Sequence, residues 1–258
     1  MASREHHRIK AVLFDMDDTL IDWSGLQGDI NVIELKHWQN VYNYLLELNC
    51  ALPPFNDFWQ QFREAMIDAW TEAKKSWAGV SMGQLLHDFL QNYGLDMTKI
   101  NVTAVLQAYD WGPLPGVAPF DDAIPVLEHL KQAGYKIGLI TNAMQPMWMR
   151  DLELRAYGLL DYLDARLTSG DVGYMKPHPF IYWQALEQLD VLPEESVFVG
   201  DRPANDIAGA NKAGLTSVLM APPHLNRELH GVRPNFTITK LEELLPILAQ
   251  LSKSQKNA

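Results

Sequence analysis

Apolar and polar positions along this chain change rhythm twice. Between Lys10 and Leu20 a short continuous apolar run, Val12-Leu13-Phe14, has the form of a buried strand and stops abruptly at Asp15. From about Leu26 to Tyr109 the spacing is helical throughout. Phe55, Phe58, Trp59, Phe62, Met66, Trp70, Ala73 and Trp77 recur along one helix and are expected to form the core of a small helical bundle. Ala51-Leu52-Pro53-Pro54 separates this helix from the one before it, and Asn56 is placed to cap it. Ser81-Met82-Gly83-Gln84 has the form of a capping box, opening a helix that Gly94 ends. Trp111 to Gly116, a Pro- and Gly-rich stretch, reads as a linker.

Beyond Gly116 short apolar strands alternate with amphipathic helices. The pattern predicts helices over 121–133, 146–157, 179–189 and 204–213, and strands over 135–140, 165–168, 197–199, 216–219 and 236–238. A last helix begins at Lys240, and Ser252 to Ala258 reads as a polar tail. Such alternation predicts an α/β fold, a doubly wound parallel sheet covered on both faces. The expected division is an α/β core from residues 1–21 and 113–258, with an all-helical domain, residues 22–112, inserted after the first strand.

Open α/β sheets bind ligands beyond the carboxyl ends of their strands, which singles out the polar residues that follow each strand. After the first come Asp15, Asp17, Asp18 and Thr19. Like charges crowd this closely in a dry place only where a cation or a reaction offsets them. Thr141 and Asn142 follow the strand ending in Ile140, Asp201 follows Val199-Gly200, and Asp206 lies five residues further on. Lys176 sits in the loop Gly173-Tyr174-Met175-Lys176-Pro177 ahead of a helix. Several carboxylates around a hole suit a hard cation with oxygen ligands, magnesium where phosphate is near. The lysine and the donors of Thr141 and Asn142 suit phosphate oxygens. One carboxylate can attack a bound phosphoryl group, and a second two residues away can give and later take a proton. Singly, each residue has a plain structural use: Asp17 or Asp18 in a turn, Asn142 or Asp206 as a helix cap, Thr141 on a backbone group, Lys176 as a loop charge. Their joint placement at strand ends is what favours chemistry.

Composition narrows the classes without choosing among them. A net charge of −11 and a pI near 5.1, with no long basic run, argue against binding a nucleic-acid backbone or an anionic membrane surface. Cys50 is the only cysteine, so no internal disulfide forms; it reads as a small core or loop residue rather than a nucleophile. Met1 to Lys10 lacks the apolar segment of a secretory signal, no run approaches a membrane span, and a cytoplasmic protein is expected. His6-His7 reads as part of a tail, His178 as a helix start, and His224 and His230 lack the spacing of a zinc site.

Taken in order, Phe14-Asp15-Met16-Asp17-Asp18-Thr19-Leu20, Ile140-Thr141-Asn142, Lys176-Pro177 and Gly200-Asp201 with Asp206 resemble the four motifs of the haloacid dehalogenase (HAD) superfamily. The resemblance covers the alternating core, and the helical insertion looks like the family's C1-type cap. It implies Asp15 as nucleophile and Asp17 as general acid/base. Thr141, Asn142 and Lys176 are then the phosphate-binding residues, with Lys176 also neutralising Asp15. A Mg2+ cofactor is implied, held by Asp15, the main-chain carbonyl of Asp17, and Asp201, with Asp206 either a direct ligand or just behind the ligands. Thr19 is expected to brace the loop, and Asp18 has no assigned catalytic role.

The resulting expectation is a magnesium-dependent phosphatase acting on a small phosphorylated metabolite through an aspartyl-phosphate, as a monomer or small homodimer. A phosphomutase or a dehalogenase is the nearest alternative. A dehalogenase has no need of Asp17 as acid, because halide leaves without a proton. A phosphoacceptor signalling module or a catalytically silent binding protein is the alternative of another class; in the former the acceptor follows a later strand. Trp23, Ser24 and Gly25, at the entry to the insertion, are candidates for substrate contact, and one or two of Trp23, Trp38, Trp59, Trp70 and Trp77 are expected to line an apolar pocket.

Overall fold

The computed structural model describes residues 9–253, so the His6-His7 pair lies outside the described residues. In chain order the strands are β1 (Ala11–Phe14), β2 (Ile21–Asp22), β3 (Ala118–Pro119), β4 (Lys136–Thr141), β5 (Ala165–Thr168), β6 (Ser196–Gly200), β7 (Thr216–Met220) and β8 (Phe236–Ile238). The helices are α1 (Ile30–Glu47), α2 (Phe55–Ser76), α3 (Met82–Asn92), α4 (Val102–Gln107), α5 (Ala123–Gln132), α6 (Met147–Ala156), α7 (Ser169–Val172), α8 (Pro179–Leu189), α9 (Ala208–Ala213) and α10 (Leu244–Lys253).

Six strands form one parallel sheet in the order β5-β4-β1-β6-β7-β8. Side chains alternate across a strand. Val12 and Phe14 therefore enter a core cluster beneath α5 and α10, while Leu13 enters the opposite cluster beneath α8 and α9. Both faces of β1 are apolar because both are covered, which is why it reads as a continuous run rather than an alternation. Register does the rest. Phe14 pairs with Leu139 of β4 and with Val199 of β6, so the carboxyl ends of these three strands lie within two residues of one another. Asp15, Thr141 and Asp201 consequently emerge at one edge, and the neighbouring strands β5 and β7 only flank them.

The chain leaves β1 through a tight loop in which the Met16 carbonyl accepts from the amides of Leu20 (2.9 Å) and Ile21 (3.0 Å). The two-residue antiparallel ladder of β2 and β3 then brings the two ends of the helical insertion together. Beyond it the ends meet backbone to backbone at Gly25 and Gly116, where a Cβ on either residue would collide with the other's carbonyl oxygen. Helices α1 to α4 pack around their own aromatic cluster, centred on Trp38, which is fully buried against Phe62 (ring centroids 4.5 Å) and Tyr109 (5.1 Å).

Three local expectations need correction. Asn56 does not cap α2; the helix begins at Phe55 after Pro54, whose fixed φ and missing N–H suit a helix start. The segment 204–213 is not one α-helix but a wider π-helical turn over Pro203–Ile207 followed by α9. Ser252 is not tail; it lies in α10 and its hydroxyl donates to the Leu248 carbonyl at 2.9 Å. The aromatic stripe of α2 divides: Phe58, Phe62, Met66 and Ala73 are buried, Phe55 and Trp59 pack against the cluster, and Trp70 lines a cleft beside the sheet edge. Cys50 is half-buried against the same cluster. No helix among the described residues is long and apolar enough to cross a membrane.

Candidate active site

Lys176 is the centre of the sheet-edge constellation. It is 2% exposed, and its Nζ lies 2.7 Å from Asp15 Oδ1 and 2.7 Å from Asp206 Oδ1, while donating to the Ile140 carbonyl at 2.9 Å. The Phe198 ring supports it from one side, 5.2 Å from the ammonium. Burial works against its charge, yet Asp15 and Asp206 outweigh burial and raise its pKa. Asp15 shows the converse balance. Desolvation, with the neighbouring Asp206 and Asp201, raises its pKa well above the ordinary range even though Lys176 pulls the other way.

Asn142 has a different employment from Thr141. Its side-chain oxygen accepts from the Lys176 amide (2.8 Å) and its nitrogen donates to the Lys176 carbonyl (2.9 Å). Both ends of the amide thus fix the Lys176 loop, which runs into a cis peptide at Pro177 and then α8, with His178 as N-cap. Thr141, 1% exposed, lines a small polar cavity of about 60 Å3 together with Asp15, Asp17, Asn142, Lys176 and Asp206. Arg202 and Asn205 complete that lining.

Asp15, Asp201 and Asp206 are all buried, and one carboxylate oxygen from each falls within 4.8 Å of the others. The Asp206 carboxyl can come this close because β6 ends in Gly200; a Cβ there would stand 2.5 Å from the Asp206 side chain. The π-helical turn aims Asp206 back at the strand, and its Oδ2 accepts from the Arg202 amide at 2.8 Å. Asp201 Oδ1 is buried with no hydrogen-bond partner, an arrangement that costs stability unless a cation answers it. Burial first, then Asp206, push the Asp201 carboxyl up to about 6 against the pull of Arg227 and Arg202. A buried, all-carboxylate set with an unanswered oxygen suits a hard divalent cation.

Asp17 points away from this cluster into a second network. Its Oδ1 accepts from Arg150 Nη2 at 2.6 Å and from the Trp23 indole at 2.9 Å. Arg150, on α6 and 4% exposed, also pairs through Nε with Glu153 at 3.0 Å. Burial lifts Glu153 to about 7 despite that partner. Asp18, with φ of 59°, closes the loop and pairs with Arg227 at 3.0 Å; Arg227 also reaches Asp201 at 2.7 Å. Thr19 is fully buried, but its hydroxyl has no hydrogen-bond partner, so its share in bracing the loop is packing alone.

Of the entry residues, Trp23 touches Asp17, while Ser24 and Gly25 line neither the polar cavity nor the larger cleft and belong to the linker. That larger cleft, about 480 Å3, adjoins the polar cavity through the shared residues Asp17 and Asn142. Its outer wall is α2. Arg150, Glu153 and Arg227 escape a sequence reading because each lies inside a helix or loop with no strand end to point at it, whereas Arg202 directly follows Asp201 at the end of β6 and has that signal. The one signal available for those three is the oppositely charged partner that a buried or half-buried charge must find.

A doubly wound core carrying a carboxylate cluster, a buried lysine and an all-helical insertion after the first strand defines a class, and comparison with known proteins agrees. The model of the haloacid dehalogenase-like hydrolases matches residues 9–214. The chain belongs to that hydrolase family, in its phosphatase branch. A glyceraldehyde 3-phosphate phosphatase of Methanopyrus kandleri is 29% identical over 253 residues, 95% of this chain and 99% of that protein. A pyrophosphatase PpaX of Bacillus thuringiensis is 33% identical over 251 residues, 96% and 100% of the two chains. Among solved structures, a HAD phosphatase from Thermococcus onnurineus (27% identity, TM-score 0.59) covers 93% of this chain and 98% of its own. A 2-haloacid dehalogenase from Pseudomonas syringae (26% identity, TM-score 0.64) covers 94% and 99%.

Proposed function

We propose that the protein is a magnesium-dependent phosphatase that hydrolyses a small phosphorylated metabolite through an aspartyl-phosphate on Asp15. The observation that carries this reading is that two carboxylates of unlike surroundings, Asp15 in the Lys176 cluster and Asp17 outside it, line one polar cavity. In the first step an Asp15 oxygen attacks phosphorus as the bond to the leaving oxygen breaks, and Asp17 delivers a proton to that oxygen. Both donors to Asp17 bind Oδ1, which leaves Oδ2 to carry the proton. In the second step Asp17 takes a proton from water, the water oxygen bonds to phosphorus, and Asp15 is released with inorganic phosphate. Thr141 and Lys176 hold the other phosphoryl oxygens, and Asn142 keeps Lys176 in place.

Asp15, Asp201 and Asp206, with the Asp17 carbonyl, would hold the magnesium, which supplies positive charge against the phosphoryl oxygens when bound. Residues 22–112 act as a cap over the core residues 1–21 and 113–258, with Gly25 and Gly116 as the crossing point of the linkers. The names of the relatives point to glyceraldehyde 3-phosphate and to pyrophosphate as the kinds of substrate found in this neighbourhood. Asp17, which a halide-releasing enzyme does not need as an acid, favours phosphoryl transfer over dehalogenation.

Phosphate release with magnesium, measured over a panel of sugar phosphates, nucleotides and phosphoacids, tests the reading. Asp15→Asn should lower turnover by about 10⁴-fold or more while circular dichroism stays native. Asp17→Asn should slow both formation and decay of the phosphoenzyme in rapid-quench measurements. Unchanged magnesium-dependent turnover in the Asp15→Asn variant would remove the proposal.

A further inference from the structure

The cleft wall supplied by α2 has a composition of its own. Arg63, Met66, Ile67, Trp70, Thr71 and Lys74 follow at i, i+3, i+4, i+7, i+8 and i+11, one continuous helix face, and all six line the 480 Å3 cleft beside Asp17. Much of this face is open to the cleft rather than sunk in the cap core: Ile67 is 48% exposed, and Arg63 and Lys74 are exposed as well. Its centre is apolar and its two ends are cationic.

Neither cation is held in a close ion pair. Among the described residues neither Arg63 nor Lys74 lies within ion-pair distance of a carboxylate, whereas the next residue, Lys75, turns away and pairs with Glu72 at 2.6 Å. In a chain with a net charge of −11 such cations are conspicuous. Placed in a cleft with low-dielectric walls, they concentrate positive potential where a leaving group would lie. Arg63 is partly answered by Glu34 of α1, which also lines the cleft and whose carboxyl burial raises and Arg63 lowers. Lys74 has no such counterpart among the described residues. It stands one turn before Trp77, whose carbonyl accepts from the Met175 amide at 2.9 Å, so this end of α2 is tied to the loop that carries Lys176.

We infer that the substrate's leaving group carries a second anionic group, a carboxylate or a phosphate, which Lys74 recognises, on a short apolar body lying over Met66, Ile67 and Trp70. The inference rests on the phosphatase reading for where the leaving group sits. A neutral polyol phosphate fits this wall poorly, because it leaves Lys74 unanswered and sets hydroxyls against Ile67 and Trp70.

Four phosphomonoesters of equal chain length test it: propyl phosphate, 3-aminopropyl phosphate, 3-(phosphonooxy)propanoate and propane-1,3-diyl bisphosphate, each with magnesium. The anionic-tailed compounds should exceed propyl phosphate in kcat/KM by about tenfold or more, chiefly through KM, and the two anionic arms distinguish carboxylate from phosphate. Lys74→Met should bring that ratio to within about twofold, Lys74→Arg should keep it, and Lys75→Met should leave it as in the parent protein. Equal or better turnover of propyl or 3-aminopropyl phosphate, or an equal loss on all four compounds in Lys74→Met, overturns the inference and leaves the phosphatase reading standing. If none of these four releases phosphate, the phosphatase reading is decided by the wider panel of phosphomonoesters and not by them. Calorimetric binding to the Asp15→Asn variant then decides: anionic tails binding about tenfold tighter, and losing this with Lys74→Met, support the inference, and equal binding of all four overturns it.

Discussion

The floor of the site and its outer wall hold their charges on opposite terms. On the floor the central ions are buried or half-buried and paired: Lys176 between Asp15 and Asp206, and Arg150 between Asp17 and Glu153. On the wall Arg63 and Lys74 are exposed and unpaired. Buried pairs cost desolvation and are kept where geometry must be fixed before substrate arrives. Exposed unpaired cations cost almost nothing and wait for a partner the protein does not contain. The floor therefore specifies a reaction, and the wall specifies what may be brought to it.

Breaking the floor should have the largest effect. Lys176→Met leaves Asp15, Asp201 and Asp206 crowded without their cation, and without metal the folded state should lose about 3–5 kcal/mol. On the proposed function magnesium binds only the folded cluster, so it should return part of that loss, roughly 2.7 kcal/mol at a hundredfold excess over Kd. Thermal melts with and without magnesium check this. A variant that gains no more from magnesium than the parent protein does would separate the lysine from the cation site.

This difference also explains what the sequence made legible. Asp15, Thr141 and Asp201 are legible together in the sequence because neighbouring parallel strands deliver the residues at their carboxyl ends to one edge. The short strands over 165–168 and 236–238 and the helix over 179–189 were likewise readable from their period. Asn56 was misread because a capping residue and a first-turn residue look alike until Pro54 is seen to start the helix. Trp70 and Trp38 belong to the same aromatic pattern, yet one lines a cleft and the other is core, since a period shows that a face exists and not what covers it. Arg150 and Arg227 were invisible for a related reason: an arginine inside a helix or loop carries no local mark of the carboxylate it will meet.

A smaller effect should come from the second tier of the floor. Glu153 is raised to about 7 in the folded protein, chiefly by burial. Between the carboxyl's ordinary value and that point the folded state binds more protons than the unfolded state, so the group's contribution is full at low pH and is lost as pH rises through 7. The loss amounts to roughly 3 kcal/mol across the window. Glu153→Gln removes this dependence. Relative to the parent protein the variant should gain stability steadily from pH 5 to pH 8 in denaturant titrations. A constant difference between the two would show that Glu153 stays ionised beside Arg150 and that burial does not govern it.

The least effect separates two adjacent lysines. Lys74 faces the cleft, while Lys75 lies on the solvent side of α2 in an i,i+3 pair with Glu72, both side chains well exposed. Exposed pairs of this kind are screened by water and salt and spend side-chain entropy to hold their geometry, so their worth is about 0.5 kcal/mol or less. Lys75→Ala should therefore shift the denaturant midpoint barely, keep kcat and KM on every phosphomonoester, and lose even its small effect in 0.5 M salt. Lys74→Met differs from it by one position in the chain and by about 100° around the helix. If the two variants behaved alike, the wall would be ordinary solvated surface, and its charge would carry no information about the substrate.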